Sequence, residues 1–253
     1  MPFAKLAFDD LPLDKTGPLG NAWGLFGPDD ECGMLNLLTL ERTRRVSTDW
    51  PFDRIATPAV GRAAFVQAIL THAPEAVNDE SLQFNPHSSS QWDGLRHYGY
   101  QEQALYFKGR TLDDLLTTKG NGIHAWVEKG GIVGGGVLLD YAAWGAEAND
   151  APIQPFTSQS IPVSVLEQIA TTQGTEMRTG GILRCSVAGD MPSFEAWPCQ
   201  DTRFWLHEWL LAGWGLPIGE MFNPEQLSEE CRNRSASAVP GGIASPPNGV
   251  AIF

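Results

Sequence analysis

The chain has 253 residues, 42% apolar and 19% charged, enough for one large or two small globular domains with a sizeable core. Such a composition excludes intrinsic disorder as the main state. Thirty acidic against 17 basic residues give a net charge of −13, which argues against nucleic acid and anionic membranes as partners. A small anionic substrate stays possible beside a metal, because a bound cation reverses the local field.

Four cysteines, at positions 32, 185, 199 and 231, show no C-x-x-C spacing and read as reduced thiols in a core. The first fifteen residues lack an apolar leader, since Asp9 and Asp10 interrupt them. The most apolar run, Gly130 to Leu139, falls well short of the roughly 20 residues a bilayer span needs. These features predict a cytoplasmic protein that does not enter membranes.

Residues 16–36 read as structured loop with buried aromatics, and Thr39 as the cap of a short helix through about Arg45. Residues 58–70 and 82–86 read as strands. Thr111, Asp113-Asp114 and Gly120 delimit a short capped helix. Gly131 to Asp140 is β-branched and apolar on a glycine background, which predicts a buried strand. A helix is expected over Val163–Gln173, ending at Gly174, with Ser164-x-x-Glu167 as a capping box. Short strands are expected at 181–184 and 186–189, then a helix from Asp201 or Thr202 through about Leu211. Asn223-Pro224-Glu225-Gln226 carries a cap followed by proline at the first helical position. The tail from Val239 to Phe253 reads as a Pro/Gly loop and a terminal strand. No repeat or linker divides the chain, so the pattern is one α/β or α+β domain over 1–253.

Only five histidines are present, and two lie in the segment His87-Ser88-Ser89-Ser90-Gln91-Trp92-Asp93-Gly94-Leu95-Arg96-His97. Positions 87, 91, 93 and 97 are all odd, so in an extended chain their side chains share a face. Imidazole nitrogen, amide oxygen and carboxylate oxygen together suit zinc, manganese or iron. The same segment also reads as a polar turn beside a core tryptophan, and spacing alone does not choose. His207, in Phe204-Trp205-Leu206-His207-Glu208-Trp209-Leu210-Leu211, faces either the core or a cleft. Glu220 alone reads as a surface acid. The glycines at 130–131 and 134–136 fit neither G-x-G-x-x-G nor a P-loop. Asp190 and Glu195 follow a predicted strand, where open α/β sheets place their sites. There is no G-x-S-x-G elbow.

The segment His87-x-x-x-Gln91-x-Asp93-x-x-x-His97 resembles the signature of the metal-dependent cyclase family, that of kynurenine formamidase and isatin hydrolase: His-x-Gly-Thr-His-x-Asp-x-Pro-x-His. Gln91-Trp92-Asp93-Gly94-Leu95-Arg96-His97 is similar to a Gln-Trp-Asp-Gly branch. Further likeness lies in Ala22-Trp23-Gly24, Asp30–Asn36, Gly122–Val127, Gly136–Asp140 and Val239–Pro247. The resemblance implies a swivelling β/β/α domain, a mixed sheet wrapped by helices, and a homodimer. It makes His87 and Asp93 metal ligands, with Asp93 placed to bridge two metals, and puts Gln91 where the family has a ligand histidine. His97 matches the catalytic histidine. His207 and Glu220 match a second-metal pair, spaced one residue further apart than in the bacterial hydrolases. Only Cys185-Ser186 separates Arg184 from Val187, where relatives carry a longer stretch, so a strand and helix segment near 185 is expected to be missing.

The function so implied is a metal-dependent hydrolase or cyclase acting on the carbonyl of a cyclic amide, formamide or lactone. The substrate is a small aromatic molecule, the cofactor zinc or manganese. Metal-activated water is the nucleophile, His97 the acid/base, and Trp23, Trp92, Trp205 and Trp209 the pocket walls. Two alternatives accompany it. One is a secondary-metabolite cyclase or dehydratase of the same family. The other is a non-catalytic small-molecule-binding pseudoenzyme, motivated by Gln91 and the missing segment.

Overall fold

The computed structural model describes residues 10, 13, 15, 16, 25, 27, 45–128, 132, 136–148, 157–175, 186–235 and 250–252. The chain divides into two compact units, Met1–Arg45 and Val46–Phe253. In the first, Lys15 Nζ donates to the Asp10 carbonyl at 3.3 Å.

Strands are short: β1 (Arg45–Ser47), β2 (Val66–Thr71), β3 (Asn78–Gln83), β4 (Gln91–Asp93), β5 (Val187–Ala188), β6 (Ile218–Glu220) and β7 (Val250–Ile252). β1 pairs with β7, and β2 with β3 as an antiparallel hairpin whose residues are all exposed. The third sheet has the order β4-β6-β5, with β4 antiparallel and β5 parallel to β6. Helices are α1 (Leu112–Thr117), α2 (His124–Val127), α3 (Tyr141–Glu147), α4 (Val163–Thr172) and α5 (Glu225–Ser235), with a π-helix at Glu208–Trp214.

The three-stranded sheet carries the core. Ile218 of β6 is fully buried and clusters with Leu95, Leu210 and Leu211; Tyr98, Phe107, Trp126, Val187, Phe194 and Leu216 pack against this group. Leu210 and Leu211 come from the π-helix, so the apolar run around His207 buries itself against β6. Gly219 permits close layering: a Cβ there would lie 2.5 Å from the Phe222 ring and 2.8 Å from the Ala188 Cβ.

Local signals were followed where side chains cap helices. Thr111 and Asp114 form the reciprocal capping box that starts α1. Asn223-Pro224 precedes α5 as expected. Other expectations are corrected. Pro162, not Ser164, caps α4, without a side-chain hydrogen bond. Residues 58–65 are not strand: Pro58 leads into a tight turn at Ala59–Gly61, and β2 begins at Val66. Residues 136–140 are not strand either, because Asp140 accepts from the Ala143 N–H at 2.9 Å and starts α3 instead. The helix expected over 201–211 is split into a 3₁₀ turn at Thr202–Phe204 and the π-helix. The helix expected at 39–45, the strand at 181–184, and the join near 185 lie outside the described residues, apart from Arg45, which opens β1.

Among the described residues no helix is long and apolar enough to cross a membrane. Among the described residues, Cys199 and Cys231 are in no disulfide.

Candidate metal centre

Only Gln91–Asp93 of the central motif is strand, so the two histidines reach the site from turns at either end. Asn85 accepts from the His87 N–H at 3.0 Å and starts the turn Pro86–Ser88. The Arg62 guanidinium donates to the His87 carbonyl at 2.8 Å. After β4 the chain turns back, with the His97 N–H donating to the Gly94 carbonyl at 2.9 Å. The two imidazoles stack, ring centroids 4.2 Å apart. Convergence thus comes from a three-residue strand bracketed by turns, not from one extended face.

Register supplies the next residue. Gln91 pairs with Glu220 and Asp93 with Ile218, so Gln91, Asp93 and Glu220 share one face while Trp92 and Gly219 share the other. Gln91 Nε2 donates to Glu220 Oε2 at 3.0 Å. A carboxylate only accepts, so this bond fixes the amide orientation and turns Gln91 Oε1 elsewhere. The Phe194 N–H donates to Glu220 Oε1 at 2.8 Å.

His207 enters from the start of the π-helix. Its Nε2 lies 3.2 Å from Glu220 Oε1 and 3.8 Å from Asp93 Oδ2. Its Nδ1 is 2.6 Å from Glu195 Oε1, and the same carboxylate accepts the backbone N–H groups of Leu206 and His207 at 3.0 and 3.1 Å. With Nδ1 engaged by a carboxylate, Nε2 is the nitrogen left for a ligand; this is the support a metal-binding histidine requires.

Asp93, 0% exposed, is the hub. Its Oδ1 lies 3.0 Å from His87 Nδ1, and its Oδ2 lies 3.8 Å from His97 Nε2. Two groups of metal-ligating atoms, each within 4.8 Å, share it: His87, Asp93 and His97, and Asp93, His207 and Glu220. Four buried polar atoms in this cluster, both Asp93 oxygens, Gln91 Oε1 and His87 Nδ1, have no hydrogen-bond partner. The short His87–Asp93 approach lacks hydrogen-bond alignment. Orphaned buried lone pairs are costly unless a cation takes them up, so the residues present fit a divalent metal.

Electrostatics agree. Burial pushes the Asp93 carboxyl up, but the surrounding His87, His97 and His207 outweigh it and hold the group below its ordinary value. Burial pushes His97 down, against the pull of Asp93, which favours its neutral form. Burial also opposes charge on His207, yet Glu195 and Glu220 raise it to about 9.

Six sequence-predicted residues, His87, Gln91, Asp93, His97, His207 and Glu220, are therefore brought together. The tryptophans are not. Trp92 lies on the opposite face of β4 against Phe222, ring centroids 5.4 Å apart. Trp205 meets Tyr98 in a tilted contact at 6.0 Å, and Tyr98 in turn meets His207 at 5.3 Å. Trp209 is 40% exposed among Phe204 and Trp214. Trp23 lies outside the described residues. The bond from Glu195 to His207 was not readable in sequence; only its position after β5 drew notice. A cavity of about 660 Å³ on the Trp92 side, lined by Trp50, Phe52, Phe84 and Phe222 with Asp49 and Gln91, was not foreseen.

No family model matches the sequence, and no curated protein matches it. A solved structure described as the crystal structure of a novel cyclase is similar, with a TM-score of 0.65 at 20% identity over 92% of this chain and 99% of that one. The chain thus has the mixed α/β fold of a cyclase; at this identity the likeness concerns fold alone.

Proposed function

We propose that the chain is a metal-dependent hydrolase or cyclase acting on the carbonyl of a small, aromatic cyclic amide, formamide or lactone. The observation that carries this reading is the buried Asp93, both oxygens unpartnered, at the junction of two ligand groups. His87, Gln91 Oε1 and Asp93 would hold one divalent ion, zinc or manganese, and His207 and Glu220 a second, with Asp93 between them. Such an ion supplies carbonyl polarisation and water activation.

The chain's own residues do the rest. Glu195 holds His207 Nδ1 and leaves Nε2 facing the cluster. Gln91 Nε2 restrains Glu220 Oε2. Neutral His97, its Nε2 directed at Asp93, takes a proton and returns it to the leaving group. The same Lewis acid and base would serve a secondary-metabolite cyclase or dehydratase. The reading takes the chain as a single swivelling β/β/α cyclase-like domain of the Gln-Trp-Asp-Gly branch, shortened near 185, dimeric and cytoplasmic.

The test is elemental mass spectrometry of purified protein beside an Asp93→Ala control, followed by turnover of cyclic amides, formamides and lactones with and without EDTA. The expected result is stoichiometric zinc or manganese, absent from D93A, and EDTA-sensitive turnover abolished by His97→Ala. A wild type that takes up no metal even after reconstitution refutes the assignment and leaves the pseudoenzyme. Full turnover by H97A refutes the role of His97.

A further inference from the structure

The cavity beside β4 adjoins the candidate metal cluster through Gln91, the one cluster residue in its lining. Its walls are aromatic. Phe52 and Phe84 pack with ring centroids 4.9 Å apart, and Trp92 and Phe222 at 5.4 Å. Its floor is pinned. The Trp50 N–H donates to Ser90 Oγ at 2.9 Å, Ser90 Oγ donates to the Met221 carbonyl at 2.5 Å, and the Asn223 N–H to the Thr48 carbonyl at 2.7 Å. The segment 48–50 is thereby tied to the ends of β4 and β6. At about 660 Å³ the space matches a small-molecule site.

One lining group is at odds with apolar walls. Asp49 is half-buried, and its carboxylate has no hydrogen-bond or ion-pair partner among the described residues; burial alone acts on it, pushing its pKa up. Arg54 sits 5.7 Å from the Trp50 ring centroid, and among the described residues no ion pair joins it to Asp49. A desolvated carboxylate among aromatic faces gains most from a cation, which both the charge and the ring quadrupoles attract. A neutral or anionic occupant leaves it unpaired.

We infer that this cavity binds a flat aromatic molecule bearing an ammonium group, its ring between the phenylalanine and tryptophan walls and its charge at Asp49. The inference does not depend on the metal reading.

Isothermal titration of the full-length protein with tryptamine, tryptophol and indole-3-acetate varies charge at nearly constant shape. EDTA keeps the anion from reporting on the metal cluster. Tryptamine is expected to bind about tenfold tighter than tryptophol, with indole-3-acetate weakest. Asp49→Asn should remove the preference for tryptamine, while Asp53→Asn, which deletes the same charge at an exposed neighbour, should keep it. Phe84→Ala, at a side chain 36% exposed, should keep the fold by circular dichroism and weaken all three ligands. Equal affinity for tryptamine and indole-3-acetate, an unaltered D49N, or no binding of any of the three at millimolar concentration overturns the inference.

Discussion

Replacing Glu195 by glutamine tests whether the carboxylate charges His207. Glutamine keeps the shape and one acceptor oxygen, which can serve the His207 N–H and Nδ1, while the lost bond to the Leu206 N–H costs the same at every pH; the charge alone carries the pH dependence. In the metal-free protein His207 is 5% exposed and raised from 6.5 to about 9, so solvent screens the effect little. A histidine raised this way stabilises the fold fully below pH 6.5, and the contribution is lost as pH rises to about 9. The shift corresponds to about 3 kcal/mol, of which Glu195, sharing the imidazole with Glu220, supplies roughly half. Urea unfolding in EDTA, at pH 6 and pH 9.5, measures it. E195Q should be destabilised by about 1–2 kcal/mol more at pH 6 than at pH 9.5. Glu195 also helps to raise Tyr98 and Cys199, so wild type and E195Q are compared in a Tyr98→Phe/Cys199→Ser background. A destabilisation equal at the two pH values refutes the ion pair.

Metal loading should release a proton from His207, so apparent affinity should rise about tenfold per pH unit up to about pH 9, read by competition with a chelating dye. A flat profile would mean the ion does not engage His207. Ile218→Ala empties a fully buried position between Asp93 and the π-helix and should cost about 2–5 kcal/mol in urea unfolding. Gly219→Ala forces a methyl to 2.5 Å from the Phe222 ring and should cost about 1–3 kcal/mol; an unchanged midpoint would show that the layers separate freely.

The site was more legible than the fold around it. His87, Gln91, Asp93 and His97 sit close together in sequence, so their convergence needs only local turns. His207 and Glu220 were reached through a resemblance, because nothing in their own neighbours separates a ligand from a core histidine or a surface acid. The helix start at Thr111 was readable because its side chain closes the cap within four residues, and the start near Asn223 because proline favours the first turn of a helix. Strands were not. β4 and β6 have three residues each, too few for a periodicity, and their pairing joins Gln91 to Glu220 across more than half the chain. Residues 136–140 carry apolar side chains on a glycine background, as a strand does, but Asp140 commits its backbone to the next helix. The aromatic cavity escaped notice because Trp50 and Phe222 are brought together only by long-range bonds.

The π-helix gives a physical meaning to the wider spacing of His207 and Glu220 that the family resemblance implies. Its i to i+5 ring takes up one residue more per turn than an α-helix does. An extra residue placed after His207 can be absorbed as a bulge in that coil, leaving Leu210, Leu211 and β6 in their packing. The helix thus acts as slack in the chain: length can change between His207 and Glu220 without moving either one away from Asp93.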